Sequence, residues 1–310
     1  MVSSTVLPSG ALVALATPVT PEGQLDAKSL ERLMDRVLAG GVVGISPCGS
    51  TGEGARLTMR QRLEVTRRVV EQASGLPVIA GVPMNSLRDA HEELSEVGRL
   101  GARAALVAPP SYFPSTDGEI ERMYTDLADQ SPVPLVLYNI PAFTGAPLRV
   151  DVVARLMQHR HIVGIKDSSR DLEYLQAVVA AARADAPSGG FSVYTGTDTM
   201  LVASVLAGAD GTIAASANLV PSLGVRILEL ISSDLTRALE LQRELSVVVA
   251  ACRKGSPPAG WKAALQLVGV CSSALVPPAS AISLDMLEQL RRDLQPAGMT
   301  LPMLERDEFQ

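Results

Sequence analysis

Short apolar runs recur along the chain, separated by longer stretches whose apolar residues fall at three- and four-residue spacing. The runs lie at residues 11–15, 42–46, 77–80, 104–107, 135–138, 162–166, 192–194 and 211–214. Runs this short, apolar on both faces, predict strands buried in a parallel sheet. The stretches 26–39, 58–73, 86–100 and 172–184 predict amphipathic helices. Asp26 and Thr58 stand where N-caps belong, and Gly40, Gly75 and Gly101 where helices should stop. Strands alternating with helices every ~30 residues make βαβ units. Eight such units predict an α/β fold of the (β/α)8 TIM-barrel type. An open doubly wound sheet is the alternative, but no G-x-G-x-x-G follows the first strand.

After about residue 232 the strand pattern ends. Residues 234–254, 259–268 and 283–294 predict helices, separated by turns at 255–258 and 277–278. This divides the chain into a barrel catalytic domain, 1–231, and a C-terminal helical extension, 232–310. Residues 302–310 are expected to be mobile.

Composition narrows the function. The 310 residues are 47% hydrophobic, enough for a large single core, and carry a net charge of −6. Basic residues are spread along the chain, so nucleic acid is not an expected partner. The stretch MVSSTVLPSG has neither a basic region nor a long apolar run, which argues against a signal peptide or membrane span. Three scattered cysteines, Cys48, Cys252 and Cys271, suggest reduced thiols and a cytoplasmic location. His159 and His161 lack further ligands at metal spacing, so no metal is expected. Of the 27 basic residues only Lys28, Lys166, Lys254 and Lys262 are lysines. A lysine kept in an arginine-rich background draws attention, because arginine cannot lose its proton to become a nucleophile.

Active sites of (β/α)8 barrels lie at the C-terminal ends of the strands. Four segments put polar or aromatic residues there. In IVGIK (162–166), strict alternation places Ile162, Gly164 and Lys166 on one face and Val163 and Ile165 on the other. That sends Lys166 into the barrel mouth above a glycine that leaves room, where desolvation favours a free amine. The same lysine could reach solvent or pair with Asp167. In VLYNIPAFTG (136–145), Tyr138 ends a strand and can move protons, or be a core phenol with a bonded hydroxyl. In PCGSTGE (47–53), Gly49 and Gly52 allow amides to converge beside the hydroxyls of Ser50 and Thr51, a nest for a carboxylate or simply a turn. PPSYFP (109–114) offers a pocket wall, a subunit contact or ordinary loop packing.

In this order and spacing the segments resemble the dihydrodipicolinate synthase / N-acetylneuraminate lyase family. Gly49–Glu53 is similar to its G-[ST]-T-G-E loop, Tyr138–Pro141 to its Y-N-x-P motif and Gly164–Asp167 to its Schiff-base strand. Gly196-Thr197-Asp198, 208–211 and Ala217-Asn218 match its later strand ends and a following turn. The likeness runs from about residue 10 to 290. It implies that Lys166 forms an imine with pyruvate or a 2-oxo acid and that Tyr138 shuttles protons. Ser50 and a tyrosine donated across a subunit interface, matched by Tyr112, would relay them. Gly49, Ser50 and Thr51 would hold the substrate carboxylate, the Ile213 carbonyl would lie near the imine, and Gly196 and Asp198 would border the substrate. The family uses no metal and no organic cofactor. Its members are commonly homotetramers built as pairs of dimers.

Two departures set the expected substrate. The synthase branch carries an arginine where this chain has Phe143, and the sialic acid branch carries Asp-Glu where it has Asp198-Thr199. The resulting expectation is an aldolase for a 2-oxo-3-deoxy sugar acid or related small 2-oxo acid. The alternatives are dihydrodipicolinate synthase itself, joining pyruvate to aspartate semialdehyde, or a dehydratase using the same imine. A pyruvate sensor would keep the barrel and lose the lysine, so intact Lys166, Tyr138, Ser50 and Thr51 argue against it.

Overall fold

A computed structural model describes residues 7–84, 86–186 and 190–295. The segment 302–310 lies outside them. Eight strands follow in chain order: β1 (Gly10–Ala14), β2 (Gly44–Ser46), β3 (Ile79–Val82), β4 (Ala104–Val107), β5 (Leu135–Asn139), β6 (Ile162–Asp167), β7 (Ser192–Thr195) and β8 (Gly211–Ala214). All the pairings are parallel, and β1 pairs with both β2 and β8. The Ile45–Val78 bridge joins β2 to the β3 side and closes the circle. The barrel expected from the sequence is the fold of the chain.

The first helices are α1 (Ala27–Ala39), α2 (Met59–Gln72), α3 (Leu87–Arg99) and α4 (Asp117–Gln130). Then come the short α5 (Pro141–Thr144), α6 (Val150–Leu156), α7 (Leu172–Asp185), α8 (Leu201–Leu206) and α9 (Pro221–Leu230). Asp26 caps α1 by accepting from the Ser29 amide, and Thr58 opens α2 with a reciprocal box to Gln61. Gly40 ends α1 in an ordinary helical conformation; the left-handed residue is Gly41.

Leu12, Ile79, Leu106, Val136, Val163, Tyr194 and Ile213 fill the barrel, which is a packed core and not a pore. One expectation fails here. Val163 packs inside the barrel and Ile162 among the outer helices, the reverse of simple alternation. Leu135 pairs with Ile162 but Val136 pairs with Gly164, so Val163 is an extra residue in a bulge. Beyond the bulge the parity is normal, with Ile165 outside and Lys166 opposite Tyr138.

Three further helices, α10 (Leu235–Ala251), α11 (Ala259–Leu267) and α12 (Leu284–Leu294), follow the barrel. Leu265 and Leu267 of α11 and Leu290 and Leu294 of α12 share one apolar cluster with Leu33 and Val37 of α1 and Val69 of α2. α10 packs with α8 and α9. This packing brings the connection between α10 and α11 to the rim of the barrel mouth.

Candidate active site

Lys166 and Tyr138 are cross-strand neighbours at the C-terminal ends of β6 and β5. Lys166 is 4% exposed and Tyr138 5% exposed. The lysine Nζ sits 4.6 Å from the centre of the tyrosine ring. The next pair along, Asn139 and Asp167, locks this register: Asn139 Nδ2 donates to Asp167 Oδ1 at 2.7 Å, and the Leu148 amide donates to Asn139 Oδ1 at 3.0 Å. Asp167 also accepts from the Ser169 amide and hydroxyl. Burial raises its carboxyl above the ordinary range, and those hydrogen bonds oppose the shift.

The glycine that makes room for Lys166 is not the one expected. A Cβ on Gly164 would strike the Ser192 carbonyl at 2.6 Å, a requirement of strand packing. A Cβ on Gly196, at the end of β7, would come within 2.1 Å of Ser168 Oγ and 2.9 Å of Lys166 Cε. Gly196 is the residue that leaves the lysine its space.

The loop after β2 reaches the pair from across the mouth. Ser50 Oγ lies 3.3 Å from the Tyr138 hydroxyl, and either oxygen can donate. The loop is tightly folded: Cys48 and Glu53 have left-handed φ angles of 59° and 56°. A Cβ on Gly54 would fall 1.8 Å from the Cys48 carbonyl, and one on Gly52 would meet the Leu15 carbonyl at 2.7 Å. Such strain persists where surrounding contacts over-determine the backbone. Here Thr17 Oγ1 donates to the Gly52 carbonyl at 2.8 Å and Arg62, ion-paired with buried Glu93, donates to the carbonyls of Gly54 and Leu57.

A cavity of about 510 Å³ opens around these groups. Ser50, Thr51, Tyr138, Phe143, Lys166, Gly196, Asp198 and Ile213 all line it. A second cavity of about 330 Å³, lined by Gly49, Met84 and Ser111 among others, shares Ser50, Tyr138, Ile140, Phe143 and Pro257 with the first. Both have the size of small-molecule sites. Asp198 is buried, and its Oδ1 accepts from the Ser216 amide at 3.1 Å. Burial raises its carboxyl above the ordinary range, against the hydrogen bonds of Ser216 and the charge of Lys166. No group of three His, Cys, Asp or Glu side chains among the described residues could hold a metal ion.

Tyr112 is not brought to the cavity within one chain. It is 87% exposed, its ring edge-on to that of Phe113 at 4.9 Å, although Pro109 and Ser111 of the same loop line the smaller cavity. Three sets of contacts join segments that are far apart in the sequence. Asn218 ties β1 to the end of β8, accepting from the Ala16 amide and donating to the Ala14 carbonyl. Arg170 and Arg253 line the Lys166 cavity from two distant segments. Buried Lys262 forms an ion pair at 2.6 Å with Glu53 at the foot of the site loop.

Residues 7–297 match the model of the Dihydrodipicolinate synthetase family. A 4-hydroxy-tetrahydrodipicolinate synthase from Xylella fastidiosa is 35% identical over 286 residues, covering 91% of this chain and 93% of the relative. A monomeric dihydrodipicolinate synthase variant superposes with a TM-score of 0.90 at 28% identity, covering 97% of this chain and 100% of that one. YagE, a prophage protein of this family from E. coli K12 solved in complex with pyruvate, superposes with a TM-score of 0.89 at 28% identity, covering 94% and 99%. No helix among the described residues is long and apolar enough to cross a membrane. A match over nearly the whole sequence, on a barrel that sets a buried lysine beside a tyrosine at its mouth, makes the chain a member of the dihydrodipicolinate synthetase family and a carbon–carbon lyase of that family's type.

Proposed function

We propose that the chain joins pyruvate to an aldehyde through an imine on Lys166, and that the aldehyde is aspartate semialdehyde. The observation that carries the chemistry is Lys166 itself. It is buried at the mouth of a cavity, with no carboxylate at ion-pair distance among the described residues and a tyrosine ring as its neighbour. Its amine would attack C2 of pyruvate, and loss of water would give the imine. Removal of a C3 proton makes an enamine, whose C3 bonds to the aldehyde carbon. The resulting alkoxide takes a proton from Tyr138, and water then releases the product and the free amine. Tyr138 can pass protons to Ser50 over the 3.3 Å contact. Ser50 and Thr51 would hold the pyruvate carboxylate beside Gly49, with the Ile213 carbonyl near the imine.

The choice of aldehyde revises the expectation drawn from Phe143. Relatives with about a third of residues identical carry the synthase name, which supports the synthase reading over a sugar-acid aldolase. One observation favours the second reading: Phe143, half exposed, lies where the two cavities meet and offers no hydrogen bond to a charged substrate end. Cleavage of a 2-oxo-3-deoxy acid would use the same groups in reverse. A role for Tyr112 requires a neighbouring subunit, as in a tetramer, and its exposure suits such a role. Hybrid oligomers of inactive Tyr112→Phe and Lys166→Ala chains should then regain activity, and a fully active monomer would exclude it.

The experiment is borohydride reduction in the presence of pyruvate, with peptide mapping, followed by an acceptor panel. The adduct should map to Lys166, and aspartate semialdehyde should be condensed faster than any hydroxyaldehyde. An adduct on Lys28, Lys254 or Lys262 would overturn the mechanism. Faster pyruvate release from 2-oxo-3-deoxy acids would move the chain to the second reading.

A further inference from the structure

The Lys166 cavity has a basic wall that the imine chemistry does not use. It is formed by the loop after β6 and by the connection between α10 and α11. Arg170 stands on the first. Its φ of 65° is unusual for a residue with a side chain, and the loop is built to keep it. Asp167 accepts from the Ser169 amide at 3.1 Å and from its hydroxyl at 3.0 Å, while Ser169 Oγ accepts from the Asp171 amide at 3.1 Å. Arg253 stands on the second, directly after the Cys252 cap of α10, with its amide donating to the Ala250 carbonyl.

Several arginines elsewhere in the chain find carboxylates: Arg62 pairs with Glu93, Arg67 with Glu64 and Glu71, Arg155 with Glu121 and Asp151. Arg149, another loop arginine near the β5 side, pairs with Asp117 and Asp151 and does not line the cavity. Among the described residues the guanidinium groups of Arg170 and Arg253 have no hydrogen-bonded or ion-paired partner. Lys254, the next cation on the wall, is neutralised by Asp293 at 2.7 Å. Two unpaired positive charges therefore face one cavity in a chain of net charge −6. They also feel each other: partial desolvation and the charge of Arg170 both push the Arg253 guanidinium, which is largely exposed, below its ordinary range, with Asp198 opposing. An anion between them would offset that repulsion.

We propose that Arg170 and Arg253 form a subsite for a second carboxylate, the one at the far end of the acceptor aldehyde or of the corresponding 2-oxo acid. This rests on the imine reading above and supplies the charged partner that Phe143 cannot. Ser50 and Thr51 hold the carboxylate next to the imine with neutral donors. Both arginines are exposed at the rim of the cavity, where the far end of a substrate held by its imine would reach. Arginine suits the task, since its planar fork of donors matches a carboxylate.

The test uses borohydride trapping on the full-length protein and needs no turnover. Matched 2-oxo acids serve as probes: 2-oxoglutarate and 2-oxoadipate against 2-oxopentanoate and 2-oxohexanoate. The parent should trap the terminal carboxylate at lower concentration at the better-fitting length. Arg170→Gln and Arg253→Gln should each narrow that preference by about 10-fold, the low end for a charge-assisted bond because both groups are solvent-exposed. Pyruvate trapping should stay at the parent rate in both. A preference unchanged in the double variant overturns the subsite. Equal losses for pyruvate and for every longer acid also overturn it, by making the arginines structural. Failure of the parent to trap pyruvate at all would instead defeat the imine reading.

Discussion

Two lysines lie buried in this chain, in opposite surroundings. Lys262 on α11 is 0% exposed and Lys166 on β6 is 4% exposed. Lys262 stands where the C-terminal helices meet the barrel, 2.6 Å from Glu53 Oε1, and donates to the Ala274 carbonyl at 2.7 Å. Glu53 Oε2 in turn accepts from the Val276 amide at 3.0 Å. Burial lowers Lys262 from the ordinary lysine range while Glu53 holds it up, so the ammonium is a fixed strut between two segments. Lys166 has a tyrosine ring beside it, an open cavity before it and a glycine behind it. Burial alone does not identify a reactive lysine. The surroundings differ: the Lys262 ammonium is held by a carboxylate and a carbonyl, while Lys166 faces a cavity.

The largest effect expected from this contrast is at Lys166. Lys166→Arg should retain a cooperative unfolding transition and lose both the pyruvate adduct and detectable turnover, because guanidinium keeps the charge and cannot form the imine. Residual turnover within tenfold of the parent would remove Lys166 from the chemistry. Next is its neighbour. Tyr138→Phe should still trap pyruvate, more slowly, while turnover falls by roughly 10²–10⁴-fold, the usual worth of a positioned acid–base group. Near-normal turnover would show that another group moves the proton.

The reciprocal experiment is at the strut. Lys262→Met should destabilise the chain in urea unfolding, by less than the about 3–5 kcal/mol of a fully unpaired buried charge, because Glu53 loses Lys262 but keeps Arg56 at 3.3 Å and the Val276 amide. The folded fraction should still form its adduct on Lys166. Adding Glu53→Gln should recover much of that loss, since replacing both members of a buried pair is often near neutral. A stable Lys262→Met protein without an adduct would break the contrast.

The smallest effect concerns Asp198, whose carboxyl is raised in the folded state. Below pH ~4 the group is protonated in both states and costs nothing. As pH rises, the unfolded chain releases the proton first, so stability falls until the raised folded value is passed. Asp198→Asn keeps an oxygen for the Ser216 amide and removes this penalty. The variant's advantage in urea midpoint should therefore be absent at low pH and appear at neutral pH. An equal advantage at every pH would mean the carboxyl is not the cause.

Much of this was legible along the chain. The caps at Asp26 and Thr58 were readable because capping is a matter of three or four residues. Strand boundaries were less so: the third strand starts at Ile79, two residues later than its apolar run, because hydrogen-bonded pairing sets an end and apolarity does not. The bulge at Val163 was invisible because it depends on how β5 and β6 register with each other. Lys166 escaped that error only because the extra residue precedes Gly164.

The sequence by itself determined the barrel and placed the lysine and the tyrosine at strand ends, since alternation, capping and strand-end position are local properties carried by neighbouring residues. Only the tertiary structure decided who meets whom. Ser50 reaches Tyr138 across 88 residues of chain, Arg253 shares a cavity wall with Arg170, and Glu53 finds Lys262. It also decided that Gly196, rather than Gly164, makes room for Lys166. These meetings follow from closing eight strands into a ring and packing α11 against it. Closure brings all the strand-end loops to one mouth, and no stretch of sequence records which of them will touch.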